Sequence, residues 1–296
     1  MKVLITGKRG QLARALAEQS TTTTNLTTHF IGRPEFDLAD PGSIARAIAL
    51  ARPDLVINAA AYTAVDQAEY EPELAFRINA EAAGEAASAA RAAGAAIIQI
   101  STDYVFDGSA VGAYREDAPT NPLNVYGRSK LEGEEQVRAA HSNHLIIRTS
   151  WVYSPFGRNF VTTILRLARE REEVAVVANQ IGTPTSALDL ARAIFAIVEK
   201  WREGKQIGFG ELYHVAGAGE TSWYGLAQEV MNRRKILGLL AAKVVAIKNS
   251  DWPTPASRPH NSVLDSGKFA RDFGIRLPDW RSSIAEVVAR LTQEPR

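Results

Sequence analysis

Apolar residues in the first half of the chain fall into short β-branched runs separated by longer alanine-rich stretches. Lys2–Thr6, Leu55–Asn58, Ala96–Ser101 and Leu145–Arg148 read as strands, and a further strand is expected to end at Phe30-Ile31. Between them, Gln11–Glu18, Asp40 to about Arg52, Glu73–Ala93 and Ser129–Ala140 read as helices. Asp40 supplies an N-cap, Pro41 a first-turn proline, and Gly94 a residue just past a helix end. Repeated strand, loop and helix predict an α/β fold with a doubly wound parallel sheet. After Arg148 the rhythm changes. Helices are expected at Phe160–Arg171, Ala187–Arg202 and Trp223–Leu237, with strands near Val174–Val177 and Leu212–Val215. The low-complexity stretch Ser20–Thr28 reads as a surface loop, and the prolines at 253, 255 and 259 as an ordered one.

The expected organisation is a cofactor domain over residues 1–150, with 187–203 packing back on its sheet. A smaller C-terminal substrate-binding lobe is then built from 151–186 and 204–296. The 296 residues include no cysteine, which excludes disulfides, zinc–thiolate and iron–sulfur centres and thiol nucleophiles. With 34 basic and 33 acidic side chains the net charge is +1, so no long-range field holds nucleic acid or an anionic membrane. No apolar run is long enough to cross a bilayer, and Met1–Thr6 gives way to Gly7-Lys8-Arg9 too early for a signal peptide. A cytoplasmic protein without nucleic-acid or membrane partners is expected.

The segment Thr6-Gly7-Lys8-Arg9-Gly10-Gln11-Leu12 joins the first strand to the first helix. Glycine there lets the backbone turn and approach a pyrophosphate while the helix N-terminus faces its charge. The spacing lacks the middle glycine of the common dinucleotide fingerprint, and a glycine turn of this kind also serves α/β proteins that bind no nucleotide. Beyond the second strand, Ile31-Gly32-Arg33 presents an arginine where an NAD site usually has an acid. Arginine suits a ribose 2′-phosphate. Gly7, Gly10 and Arg33, with charge from Lys8 and Arg9, are therefore expected at an NADPH site, with NADH as an alternative cofactor.

Tyr126 and Lys130 stand at i and i+4, which places a phenol and an ammonium on one helix face. A cation beside a phenol favours the phenolate and brings its pKa towards the operating range. The segment Ser101-Thr102-Asp103-Tyr104 follows a strand at the carboxyl edge, where open α/β sheets bind ligands. There the Thr102 hydroxyl can meet a substrate oxygen opposite Tyr126. Asp103 also falls on the substrate side, although an acid beside aromatic residues more often braces a loop. Glycine loop, strand-end hydroxyl and Tyr/Lys pair, in that order, fit hydride transfer best.

With these motifs the chain resembles the extended short-chain dehydrogenases/reductases, and within them the dTDP-4-dehydrorhamnose reductase family. The resemblance is carried nearly end to end, by Gly7–Leu12, Asn58–Asp66, Ser101–Gly108, Asn124–Lys130, Arg148–Tyr153, Gly157–Phe160, Gly182–Thr185, Pro253–Pro259 and Asn261-Ser262. It implies a Rossmann-type sheet and NADPH-dependent reduction of a nucleotide-sugar ketone. Tyr126 is then the proton donor, Lys130 tunes it and holds the nicotinamide ribose, and Thr102 hydrogen-bonds the reacting oxygen. Gly10, Gln11 and Leu12 line the pyrophosphate, Asp37 and Leu38 the adenine, and Ala61, Tyr62 and Thr63 the nicotinamide half. Trp151 contacts the nucleotide-sugar. Arg258 is a candidate for its diphosphate, although an arginine between prolines can equally brace its loop.

Some members of the family form a dimer bridged by magnesium through glutamates. Here Ala13-Arg14-Ala15-Leu16 offers no acid before Glu18, and Leu188 replaces an expected glutamate beside Asp189. Magnesium is not expected, and the chain is expected to be a monomer or a weak homodimer without a metal bridge. The five histidines show no metal-ligand spacing. Two other readings of the same scaffold stand beside the reductase: a non-catalytic regulatory subunit of methionine adenosyltransferase type, and a sugar-nucleotide epimerase or dehydratase. The intact Thr102, Tyr126 and Lys130 favour an enzyme. Tyr104, where a dehydratase has a second acid, disfavours the last.

Overall fold

In the computed structural model, which describes residues 1–23 and 25–293, the apolar runs of the first half lie side by side. Five parallel strands come from that half: β1 (Lys2–Thr6), β2 (Thr27–Ile31), β3 (Leu55–Asn58), β4 (Ala96–Thr102) and β5 (His144–Thr149). Strand Glu211–His214 adds a sixth beside β5, and the order across the sheet is Glu211–His214, β5, β4, β3, β1, β2. Strand side chains alternate between faces, and the core divides accordingly. Val3, Ile5, Leu55, Ile57, Ile98, Leu145 and Ile147 pack with helices Gln11–Ser20 and Ala187–Arg202. Leu4, Val56, Ile97 and Ile146 pack on the other face with helices Pro41–Ala51 and Ala82–Ala92. Both faces are covered, which is why these strands read as nearly unbroken apolar runs.

The helix expected at 73–93 begins at Pro72 and runs to Ala92, widening to a π-turn over Arg77–Glu81. Gly94 ends it at φ +71°. Three expected boundaries are corrected. The helix carrying Tyr126 starts at Val125, four residues before Ser129. Asn124 caps it, accepting the Gly127 N–H at 2.7 Å, and Glu69 accepts the Val125 N–H at 2.7 Å; a cap of this kind is worth about 1 kcal/mol. The loop expected at Ser20–Thr28 is shorter, because Ser20 ends the first helix and Thr27 opens β2, whereas Thr24 lies outside the described residues. The expected lobe boundary at 204 is crossed by strand Glu211–His214, whose apolar Leu212 and Tyr213 complete the sheet.

Helices Phe160–Glu170 and Trp223–Ile236 pack with a parallel pair of strands, Glu173–Val177 and Lys243–Ile247, and helix Trp280–Gln293 packs on helix Trp223–Ile236. Among the described residues no helix is long and apolar enough to cross a membrane.

Candidate active site

The strands end in polar residues, and register joins those residues into a buried chain. Thr6 Oγ1 donates to Asn58 Oδ1 (2.7 Å), Asn58 Nδ2 to Gln99 Oε1 (2.8 Å), and Gln99 Nε2 to the Ile100 carbonyl (3.0 Å). Lys130 Nζ donates to that same carbonyl at 2.6 Å. Buried polar groups must be paired, so this row rigidly links the glycine loop to Lys130 across three strands. Thr6, Asn58 and Gln99 were not among the expected site residues. Their signal is a polar residue that follows a run of apolar ones in each strand.

At the first junction Gly7 adopts φ +88°, and a Cβ there would lie 3.1 Å from the Ala60 backbone. Gly10 donates its N–H to the Gly7 carbonyl at 2.7 Å and caps the first helix without a side chain. That helix has no acid in its first turn, so its leading N–H groups at Gln11 and Leu12 form an anion cradle. The Gln11 side chain is turned elsewhere: Ser154 donates to its Oε1 at 2.9 Å, and its Nε2 reaches the Val152 carbonyl at 3.4 Å. Lys8, Arg9 and Arg33 are exposed. Lys8 lies against Gly32, where a Cβ would be 3.1 Å from the lysine Cβ, so the two basic loops adjoin. Asp37 Oδ1 accepts the Ala39 N–H and Leu38 is buried with Phe36 and Ile44. Glycine cradle, uncapped helix and adjoining cations fit a phosphorylated dinucleotide.

Asn79, in the π-turn, clasps the Tyr62 peptide. Its Oδ1 accepts the Tyr62 N–H (2.9 Å) and its Nδ2 donates to the Tyr62 carbonyl (3.0 Å) and to Ser129 Oγ (3.0 Å). The segment Ala61–Thr63 is thereby tied to the helix bearing Tyr126 and Lys130. The Tyr62 hydroxyl itself donates to Glu71 at 2.6 Å, and burial, then Glu71, push its pKa up to about 12. A π-turn within a helix is frequent at functional sites, but nothing in the helical periodicity marks it.

Two glycines let the Tyr126 helix come close. A Cβ on Gly127 would lie 2.2 Å from the Tyr104 carbonyl, and one on Gly133 2.0 Å from the Asn79 carbonyl. Tyr126 meets Tyr104 edge to face, with centroids 5.8 Å apart. The structure brings Thr102, Asp103, Tyr126 and Lys130 together. The Thr102 hydroxyl donates to Asp103 Oδ1 at 3.1 Å and accepts the Tyr104 N–H at 3.2 Å. Burial pushes the Tyr126 phenol up to about 12; Thr102 opposes that rise and the Asp103 charge adds to it. Burial also lifts the Asp103 carboxyl to about 7, and the nearby hydroxyls of Ser262 and Thr102 oppose that rise. The Lys130 ammonium is engaged by the Ile100 carbonyl, not by the phenol. Tyr126 is instead held fully protonated, which is the form a proton donor needs.

Trp151 follows β5 at φ +47°, a conformation costing a non-glycine residue about 1–3 kcal/mol. It stacks on Trp223 with centroids 3.5 Å apart and planes at 4°. Arg258 closes on Asp66, Nη1 to Oδ1 at 3.0 Å and Nη2 to Oδ2 at 2.8 Å. Nη1 also reaches Thr254 Oγ1 and the Ala256 carbonyl. Of the two uses open to Arg258 in the sequence, the structure shows the brace. Asn124 Nδ2 donates to the Ser257 carbonyl at 2.8 Å, so the braced loop sits at the start of the Tyr126 helix.

A family model described as the RmlD substrate binding domain matches residues 1–293. The dTDP-4-dehydrorhamnose reductase of Sinorhizobium fredii is 44% identical over 294 residues, covering 99% of each chain. Among solved structures, a dTDP-4-dehydrorhamnose reductase from Clostridium acetobutylicum is 36% identical, with TM-score 0.92 over 99% of this chain and 100% of that one. Its counterpart from Bacillus anthracis, solved in complex with NADP, is 33% identical, with TM-score 0.89 over 97% and 98% of the two chains.

Proposed function

The chain belongs to the family described as the RmlD substrate binding domain, and from that premise we propose that it reduces the 4-keto group of dTDP-4-dehydro-L-rhamnose with NADPH, giving dTDP-L-rhamnose. One observation carries the reading: Tyr126 stands one helical turn from Lys130, whose Nζ is anchored to the Ile100 carbonyl two residues before Thr102, at the sheet edge that also holds the uncapped helix. Gly7, Gly10, the N–H groups of Gln11 and Leu12, and Arg33 would hold the phosphates of the cofactor. Asp37 and Leu38 would line its adenine and Ala61–Thr63 its nicotinamide half. Bound NADPH supplies the hydride that the sugar carbonyl carbon receives.

The protein's own part is the proton. As negative charge develops on the sugar oxygen, Tyr126 transfers its phenolic proton to that oxygen, and Thr102 donates a hydrogen bond to the same atom or to the phenolate left behind. Lys130 is the cation that stabilises the phenolate. Asp103 works best neutral here, since its charge opposes phenolate formation. Trp151 would place the nucleotide-sugar, with Arg258 holding the loop over it. The cofactor lobe is then 1–150 with 187–203 and strand 211–214, and the substrate lobe is the rest.

Tyr104 is packed edge to face against Tyr126, and a tyrosine at this position is not the second acid that dehydration needs. The assembled Thr102, Tyr126 and Lys130 favour catalysis over a purely regulatory role. The enzyme would work in the cytoplasm as a monomer or weak homodimer. NADPH oxidation with dTDP-4-dehydro-L-rhamnose tests the reading. Tyr126→Phe should lower kcat by about 10²–10⁴-fold, and a wild-type chain that binds NADPH without turnover would overturn it.

A further inference from the structure

Glu134 is buried at the centre of the α/β packing, 1% exposed, and the reaction as derived makes no use of it. It stands one turn beyond Lys130 and two beyond Tyr126, so the three side chains share a helix face. Its two oxygens are fully engaged. Arg148 Nε donates to Oε1 at 2.8 Å and Nη2 to Oε2 at 2.6 Å, while Ser101 Oγ donates to Oε1 at 2.6 Å. Arg148 and Ser101 are themselves buried, and they face each other across the β5–β4 register. A buried ion pair is a weak source of stability, since desolvating both charges offsets their attraction. Its place beside Lys130 suggests another use.

Lys130 is also buried, 4% exposed, with its Nζ on the carbonyl of Ile100, the residue before Ser101. On its own helix the other ionisable groups are Tyr126, Arg128, Glu132, Glu135 and Arg138, the last reaching Glu134 Oε2 at 3.5 Å; Asp103 and Tyr104 follow β4, and His144 and Arg148 lie on β5. Glu69 lies at the helix start, and Arg77, Glu81 and Glu85 lie on the helix packed alongside. Arg77 is paired with both of its glutamates, and Glu69 accepts the Val125 N–H. His214, near Arg148, is pushed down to about 3 by burial and then by that arginine, so it brings no charge. Burial pulls Lys130 down to about 8, and the charge of Glu134 is what opposes that fall.

Resting on the reductase reading of Lys130, we propose that Glu134 is a positioning residue for it: a carboxylate fixed by Arg148 and Ser101 that keeps the buried ammonium charged and aimed along the sheet edge. The test follows the lysine directly. In the cofactor-free full chain, the 13Cε resonance of labelled Lys130, assigned with Lys130→Arg, is titrated in the wild type, Glu134→Asp, Glu134→Gln and the double variant Glu134→Gln/Arg148→Met. The double variant removes the arginine that Glu134→Gln leaves unpaired, so folding and charge can be separated. The midpoint should fall by about one pH unit or more in Glu134→Gln and in the double variant, and stay near the wild-type value in Glu134→Asp. The alkaline limb of kcat/KM should move with it. An unmoved midpoint in a folded double variant overturns the proposal even if the wild type turns over the nucleotide-sugar. A shifted midpoint in a wild-type-inactive chain supports the linkage and overturns the reductase reading instead.

Discussion

Arg258 and Asp66 lie 192 residues apart and meet through two parallel N–H···O bonds, 3.0 and 2.8 Å long. The pair fastens the late proline-rich loop to the segment that follows the Ala61–Thr63 turn. Burial raises the Asp66 carboxyl, but the hydrogen bonds and charge of Arg258 outweigh this and hold it below its ordinary range. If the guanidinium serves as a brace, Asp66→Asn and Arg258→Ala should act alike. Each should raise KM for the nucleotide-sugar about tenfold, the equivalent of 1.4 kcal/mol, and leave the NADPH Kd unchanged. A large rise confined to Arg258→Ala would assign the arginine to the substrate diphosphate.

Arg33 offers a separate test of cofactor choice. It is exposed and stands next to Gly32, which packs on Lys8. A 2′-phosphate gains a charge-assisted contact there that a 2′-hydroxyl does not. The ratio of kcat/KM with NADPH to that with NADH should drop by about tenfold in Arg33→Ala, as expected for the loss of one such bond of 1.5–3 kcal/mol. An unchanged ratio would remove Arg33 from the site.

Trp151 rests on Gly182 as well as on Trp223. A Cβ at Gly182 would lie 2.3 Å from Trp151 Cε2, too close for the ring to stay. Gly182→Ala should therefore unstack the indoles, which near-ultraviolet circular dichroism reads directly. KM for the nucleotide-sugar should rise while cofactor affinity holds. A preserved dichroism signal would show that the ring pair tolerates the methyl group.

How much of this was legible beforehand differs with the range of the contact. The strands announced themselves because both faces of the sheet are covered, and Tyr126 and Lys130 because i and i+4 share a face on any helix. Thr102 was legible from its place at a strand end. The row Thr6–Asn58–Gln99 was not, since it exists only through the register of three strands. Asn79 depends on a π-turn that shifts it out of ordinary helical phase. Strand Glu211–His214 looked like part of an outer lobe because sequence order cannot say which edge a late strand joins. The direction of Lys130 was also hidden, because a backbone carbonyl took the place of the phenol as its partner.

The acids nearest the place where relatives were expected to bridge a metal are already engaged within the chain. Both oxygens of Glu18 accept from Arg290 at 2.7 Å, and Asp189 is bound by Arg192 and Ser283. The Arg290 charge and hydrogen bonds hold Glu18 below its ordinary carboxylate range. The mass measured by light scattering should be the same with and without a chelator. A dimer that dissociates on chelation would show a metal bridge after all.

Asp103 makes the pH dependence specific. Burial lifts its carboxyl to about 7 in the folded protein, from an ordinary value of 3.8. Between those values the folded chain binds more protons than the unfolded one, so stability falls as pH rises. The contribution of the neutral acid is complete below the unfolded value and is gone once pH has passed the folded value. Asp103→Asn keeps the acceptor for Thr102 and cannot ionise. Its melting temperature relative to wild type should therefore climb between pH 4 and about 7 and level off above that range. The catalytic consequence runs in the same direction. Ionised Asp103 pushes the Tyr126 phenol higher and opposes its loss of a proton, so wild-type kcat should begin to decline as pH rises through about 7. In Asp103→Asn that decline should be delayed until Lys130 loses its charge near 8. Parallel melting curves at every pH, or an unmoved kcat profile, would mean that Asp103 stays ionised in the folded site.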